Sequence, residues 1–247
     1  MKLNIFANQE QLHEAAAQTI IELLRQKPDA VLGLATGGTP VGIYEALAAA
    51  VRRGEVSFAR ATTFNLDEYV GLPPGHPETY RFYMEQHLFR HIDIPPEQTH
   101  IPDGNAPELE RECERYERLL ETAGRIDLML LGLGHNGHIG FNEPGRVLHS
   151  RTHVAVLHPQ TRKANARFFR TPEEVPTRAI TMGLGSILKA RTILLVVKGA
   201  DKADIVHRAL TGPLTTECPA SLLQLHPHLV VMLDEEAATK IKRAASG

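Results

Sequence analysis

Apolar positions along the chain fall into two alternating patterns. Short, largely apolar runs at 30–35, 61–66, 127–133, 192–197 and 229–233, with briefer ones at 3–6 and 154–157, predict strands. Several are continuous Val/Ile/Leu runs rather than strict alternations, as expected of strands covered on both faces. Between them lie amphipathic stretches that predict helices at 9–26, 41–53, 79–90, 108–122, 183–189 and 202–210. In the first, Leu12, Ala15, Ala16, Thr19, Ile20, Leu23 and Leu24 make one stripe at helical spacing. The alternation predicts an α/β fold. It is a doubly wound, mostly parallel sheet with helices on both faces, a modified Rossmann-like arrangement, read as one domain over 1–247. The Pro- and Gly-rich stretch 72–77 reads as a loop over the sheet's edge.

Composition narrows the class. The 247 residues are 43% hydrophobic and 23% charged, a globular balance, and the net charge of −2 gives no bulk attraction to nucleic acid or an anionic membrane. Any phosphate must therefore be held by a local site. Cys113 and Cys218 are the two cysteines, too few and too far apart for a disulfide framework or a zinc-ligand pattern. Asn4, Gln9, Glu10 and Glu14 interrupt the first twenty residues, so no signal-peptide core is expected, and the longest apolar runs are strand-sized. The expectation is a cytoplasmic protein with neither membrane nor nucleic acid among its partners.

In such sheets ligands collect beyond the carboxyl ends of the strands, so the loops there carry the chemistry. After 30–35 come Thr36, Gly37, Gly38, Thr39 and Pro40. Thr39 suits a helix N-cap and Pro40 the first helical position. The paired glycines let backbone N–H groups and the positive helix end approach an anion. The same residues also read as a tight strand-to-helix turn, and no Walker lysine follows. After 61–66 come Asp67 and Glu68; Asp67 faces the crevice or is a solvated loop acid.

After 127–133 comes GHNGHIGFNEPG. Gly132, Gly134 and Gly137 satisfy a dinucleotide-type glycine spacing, but Pro144 and the clustered glycines do not open the long helix that fingerprint needs. His138 and Glu143 look instead like an acid–base pair, the imidazole moving protons near neutral pH and the carboxylate orienting it. A divalent metal held by His135, His138, Glu143 and Asp67 is the alternative, although no recognised ligand spacing joins them. After 192–197, Lys202 falls in or near a first helical turn, where a bound anion would relieve its conflict with the helix dipole. Arg162, Lys163 and Arg167 add positive charge, most of it expected at the surface.

Taken together, LGLATGGTPVGIYEAL, TTFNLDEYVGL with HPETY, LGLGHNGHIGFNEPG, TRKANARFF and SLLQLHP resemble the glucosamine-6-phosphate deaminase family, whose fold is shared with 6-phosphogluconolactonases. The motifs run in order over about residues 1–235. The resemblance implies conversion of glucosamine 6-phosphate to fructose 6-phosphate and ammonia, in amino-sugar breakdown and with no cofactor or metal. It casts Asp67 as the base at C2 and His138 as the ring-opening residue, with Glu143 and Asn136 in support. Thr36, Gly37, Gly38 and Thr39 would hold the phosphate, with Arg167 and Lys202 completing the clamp. Some members carry an acid where this chain has Asn136; an amide can hydrogen-bond His138 but not favour its cation by charge, which leaves Glu143 as the charged partner.

Hexameric members are activated by N-acetylglucosamine 6-phosphate through basic residues just after the catalytic loop and an aromatic in an extended tail. Here Arg151, Thr152, His153, Val154 and Ala155 keep little of that charge, and the sequence reaches Gly247 without an aromatic tail. The resemblance thus implies a non-allosteric enzyme, a monomer in preference to a homo-oligomer. A lactone hydrolase on the same phosphate cradle and a non-catalytic sugar-phosphate sensor are the competing readings. The segment 72–83 fits a closing lid and a static loop equally.

Overall fold

The protein is described by a computed structural model covering residues 1–241. In chain order its elements are β1 (Lys2–Phe6), α1 (Gln9–Gln26), β2 (Val31–Leu34), α2 (Pro40–Arg52), β3 (Thr62–Asn65), β4 (Asp67–Tyr69) and α3 (Tyr80–His87). Then come β5 (Thr99–His100), α4 (Leu109–Ala123), β6 (Leu128–Leu131), β7 (His153–Val156), α5 (Pro159–Asn165) and β8 (Arg178–Thr181). The last are α6 (Leu184–Leu188), β9 (Thr192–Val197), α7 (Ala203–Thr211) and β10 (Leu229–Asp234).

Seven strands pair in parallel in the order β1-β10-β9-β6-β2-β3-β5. Strand side chains alternate between the sheet's faces. Leu32, Leu34, Leu128, Leu130, Leu194 and Val196 join the helices α1, α2 and α3 in one core. Val31, Met129, Leu131, Ile193, Leu195 and Val197 join α4, α6 and α7 in the other. Two covered faces explain why these strands are unbroken apolar runs. The fold is the expected α/β architecture, with α1 starting where Asn8 caps it by accepting from the Gln11 N–H at 2.9 Å.

Four local expectations need correction. The stretch 154–157 does not join the main sheet: β7 pairs antiparallel with β8, and β8 with β4, as a separate three-stranded sheet. Asp67 and Glu68 are not in a solvated loop but begin that second sheet, because the chain crosses between sheets at Leu66, whose N–H bonds Leu34 and whose carbonyl accepts from Met182. The helix at 79–90 stops at His87, where the chain turns Leu88 and Phe89 into the core. Thr39 precedes α2 as expected, yet its own backbone is helical and its hydroxyl makes no capping bond. Strands β5 and β8 and helix α5 were not foreseen; β5 and β8 are too short and too polar to give a periodic signal. The expectation about the chain's tail falls on residues 242–247, outside those described.

Candidate active site

The strand order reverses beside β2: β3 lies on one side of it, while β6, β9 and β10 step away on the other. Loops leaving β2 and β6 at such a switch point diverge and open a crevice. A cavity of about 690 Å³ lies there, lined by Thr36, Gly37, Gly38, Thr39, Asp67, Asn136, His138, Arg167 and Lys202 among others. Residues from four strand ends named in the sequence thus meet in one place. Glu143 stands behind His138 rather than in the lining.

The loop after β2 is held by two tyrosines. The Tyr44 hydroxyl donates to the Ala35 carbonyl at 2.5 Å and the Tyr83 hydroxyl to the Gly37 carbonyl at 2.6 Å. Gly37 has φ +102°, a left-handed conformation that favours glycine. With those carbonyls tied to the protein, the loop and the amino end of α2 present N–H groups to the cavity, an anion-binding geometry. Lys202 stands just before α7 without a capping bond to it, and its ammonium donates to the Leu133 carbonyl at 2.7 Å. Burial, partly offset by Asp201, brings it down to about 8, and the nearby Arg167 pushes the same way. Arg167 is itself exposed at the rim, over the Phe168 ring.

The loop after β6 folds back on itself. Gly134 N–H bonds the His138 carbonyl, Gly137 N–H bonds Gly134, and Gly137 takes φ +91°. A β-carbon at Gly134 would stand 2.2 Å from His138 Nε2, so glycine there leaves that nitrogen room. At the other side of the ring, Nδ1 lies 3.3 Å from Glu143 Oε2 and 3.3 Å from Thr161 Oγ1. Nδ1 is thus tethered, and Nε2 is the nitrogen left to exchange protons with a ligand. Burial works to raise the Glu143 carboxyl, but the bond and charge of His138, with Thr161 and Asn136, outweigh it and hold it at about 2. Asn136 departs from the expected pattern. Its amide donates to Glu143 Oε2 at 2.8 Å and its oxygen accepts from the His138 backbone N–H at 3.1 Å, so it braces the carboxylate and the loop instead of the imidazole.

Asp67 is only 5% exposed, and burial, reinforced by the charge of Glu68, pushes its carboxyl up to about 8. A β-carbon at Gly140, where φ is +57°, would stand 3.2 Å from Asp67 Oδ2. The loop after β6 therefore passes directly over this carboxylate. Glu68, equally buried, does something else: it accepts from the N–H groups of Tyr69, Tyr80 and Arg81 and so anchors the start of α3. Glycine-rich spacing and the choice of Asp67, first past the strand, for the crevice are legible in sequence; the use of Glu68 to hold the start of α3 is not.

Sequence reasoning missed three contributors. Thr161 reaches His138 from α5 across 23 residues of chain, and no local pattern announces such a contact. Tyr69, Tyr80, Phe141 and Phe169 form an aromatic wall, with Tyr69–Tyr80 centroids 4.9 Å apart and Tyr80–Phe141 stacked at 6.1 Å. Through His76 and Phe169, 6.4 Å apart, the 72–79 loop meets the segment after α5. The third is Asp201, the partner of His135 at 2.6 Å; His135, considered above as a metal ligand, does not join His138 and Glu143 in a ligand set. Among the described residues no three His, Cys, Asp or Glu side chains converge as a metal ion would require.

Residues 7–231 match the family described as glucosamine-6-phosphate isomerases/6-phosphogluconolactonase. Over 241 residues the chain is 49% identical to the glucosamine-6-phosphate deaminase of Thermoanaerobacter pseudethanolicus, covering 98% of this chain and 95% of that one. It is 51% identical over 241 residues to the corresponding deaminase of a Geobacillus species, covering 98% and 96%. Among solved structures it superposes on a monomeric glucosamine-6-phosphate deaminase with a TM-score of 0.95 at 48% identity, over 97% of this chain and 100% of that one. A 6-phosphogluconolactonase from Trypanosoma brucei superposes with a TM-score of 0.76 at 21% identity, over 97% and 98%, a likeness of fold.

Proposed function

The chain belongs to the family of glucosamine-6-phosphate isomerases and 6-phosphogluconolactonases, and from that premise we propose that it deaminates glucosamine 6-phosphate to fructose 6-phosphate and ammonia. The observation that carries this reading is the pairing, in one cavity, of a buried Asp67 raised to about 8 with a His138 tethered by a Glu143 held at about 2. Titratable groups pushed apart by their surroundings are suited to separate acid and base tasks.

The chemistry follows from those groups. The closed pyranose hides its carbonyl, so ring opening needs a proton off the anomeric hydroxyl and another onto the ring oxygen. His138 Nε2 serves both, and Glu143 stabilises the imidazolium that forms in between. In the open chain the C2 proton is acidified by the neighbouring aldehyde. Asp67 removes it to give an enolamine and returns it to C1, its two oxygens reaching both carbons from one face. The resulting C2 iminium adds water, and the carbinolamine collapses to the ketone, releasing ammonia. The incoming ammonium of the substrate favours ionised Asp67, so substrate arrival helps to arm the base.

The phosphate rests on the N–H groups and hydroxyls of Thr36, Gly37, Gly38 and Thr39 and on Lys202, with Arg167 swinging in from the rim. Holding that end confines a flexible open chain. We read the 72–79 loop and Phe169 as the cover of the bound sugar. The likeness to a monomeric deaminase supports a monomer.

The test is release of ammonia and fructose 6-phosphate from glucosamine 6-phosphate by wild type and Asp67→Asn, with and without EDTA. Equal yields of both products, lost in the variant and indifferent to EDTA, support the proposal. Folded wild type that turns over 6-phosphogluconolactone instead would replace it.

A further inference from the structure

Lys202 does not stand alone at the mouth of the cavity. Its ammonium lies 3.2 Å from His135 Nδ1, and the opposite ring nitrogen, Nε2, lies 2.6 Å from Asp201 Oδ2. An ammonium is only a donor and a carboxylate only an acceptor. The neutral tautomer with its proton on Nε2 satisfies both neighbours at once. The chain of bonds is therefore directional: Lys202 donates to His135, which donates to Asp201.

The position of Asp201 is built into the turn. Gly199 has φ +93°, and a β-carbon there would stand 2.7 Å from Asp201 Oδ1. Its N–H is tied to Asp234 at 2.9 Å. The carboxylate thus lies folded over its own turn, one residue from the lysine it would otherwise attract. His135 comes between them. It occupies the carboxylate with an N–H and offers the ammonium a lone pair. Of the three donors on Lys202, Leu133 and His135 take two, which leaves one for an anion in the cavity.

From this arrangement we infer that His135 is a positioning residue for the phosphate end of the substrate, holding Lys202 toward the cavity by separating it from Asp201. The inference rests on the reading of Lys202 as part of the phosphate clamp. It assigns no role in proton transfer to His135, whose half-exposed ring faces the clamp and not the Asp67 end. Without the imidazole, Asp201 is free to draw the ammonium into a direct ion pair, and the clamp loses both its aim and part of its charge.

The test compares wild type with His135→Ala, His135→Gln and Lys202→Met, measuring kcat and KM for glucosamine 6-phosphate and competitive inhibition by inorganic phosphate. His135→Ala should raise both KM and the phosphate inhibition constant about 5–10-fold, within the worth of one ordinary hydrogen bond, with kcat held within about twofold. Glutamine can accept from Lys202 through its oxygen and donate to Asp201 through its nitrogen. His135→Gln should therefore restore both constants to within about twofold of wild type. Unchanged constants in His135→Ala alongside a large rise in Lys202→Met would overturn the inference and leave the clamp standing. A parallel fall in kcat, or failure of glutamine to rescue, overturns it too. Unchanged constants in Lys202→Met would remove the clamp reading itself.

Discussion

Two carboxylates serve the same cavity and are treated in opposite ways. Asp67 sits where the chain leaves the main sheet for the small one, buried, with Glu68 next to it, and burial drives its carboxyl up to about 8. Glu143 sits on a polar loop where His138, Thr161 and Asn136 converge on it, and it is held at about 2 despite its burial. Both are acids removed from water. What separates them is what opposes burial: nothing offsets it at Asp67, where a second acid adds to it, whereas at Glu143 a cation-forming ring and two donors outweigh it. The first stays a proton acceptor of useful strength, and the second stays a fixed negative charge. On the proposed reading, the same fold makes a base and a counter-ion from similar side chains.

Removing the base should cost most. Asp67→Asn keeps the shape and removes the group proposed to move the C2 proton, so kcat should fall by about 10³-fold or more, read in the coupled ammonia assay. Removing the counter-ion should cost less. Glu143→Gln keeps a hydrogen bond to His138 but not the charge that favours its cation, and about a 10²-fold loss of kcat is expected. If the two variants lose activity equally, the division of labour drawn here is wrong.

The pH profile sharpens the contrast. In the free enzyme kcat/KM should climb toward pH 8 as Asp67 loses its proton, then fall above it as Lys202, brought down to about 8, loses its charge. A rate measured from pH 5 to 10 should therefore be a narrow bell, and Lys202→Met should lack the alkaline limb. A plateau reaching down to pH 5 would mean that Asp67 is an ordinary carboxylate. Smaller still is Asn136→Asp, which sets a second carboxylate where an amide now donates to Glu143 at 2.8 Å. Repulsion should raise Glu143 above its present value of about 2 and lower kcat by roughly threefold to tenfold. Unaltered kinetics would show that Asn136 braces nothing the reaction uses.

The last prediction concerns stability, with the sign set by linkage. A carboxyl raised in the native state keeps its proton there while the unfolded chain has lost it. Stability therefore falls as pH rises from the ordinary aspartate range to about 8. Asp67→Asn escapes that loss. Its melting temperature should match wild type near pH 4 and exceed it by a margin that widens steadily as pH rises to about 8. Scanning calorimetry showing the same difference at both pH values would sink the claim that burial of this charge is what makes the base.

How much of this was legible follows from what each feature depends on. The strands at 192–197 and 229–233, the helix at 9–26 and the cradle glycines are local patterns, set by side chains within a few residues of each other. Hydrophobic periodicity and glycine spacing report them directly. The strand at 154–157 was read correctly as a strand, but nothing in four residues tells which sheet it joins; β8, from 178 onward, decides that. Likewise NLDEY points Asp67 at the crevice, as found, without saying that Glu68 accepts from the first N–H groups of α3.

By itself, then, the sequence determined the α/β architecture, the loops that carry chemistry and the residue types available there. Tertiary structure alone decided how each charge is used. Thr161 meets His138 across 23 residues, Asp201 meets His135 across 66, and the desolvation of Asp67 comes from two sheets meeting around it. Periodicity is a property of neighbours along the chain, whereas the field and dielectric at a carboxylate are set by whatever folding brings within a few ångströms of it.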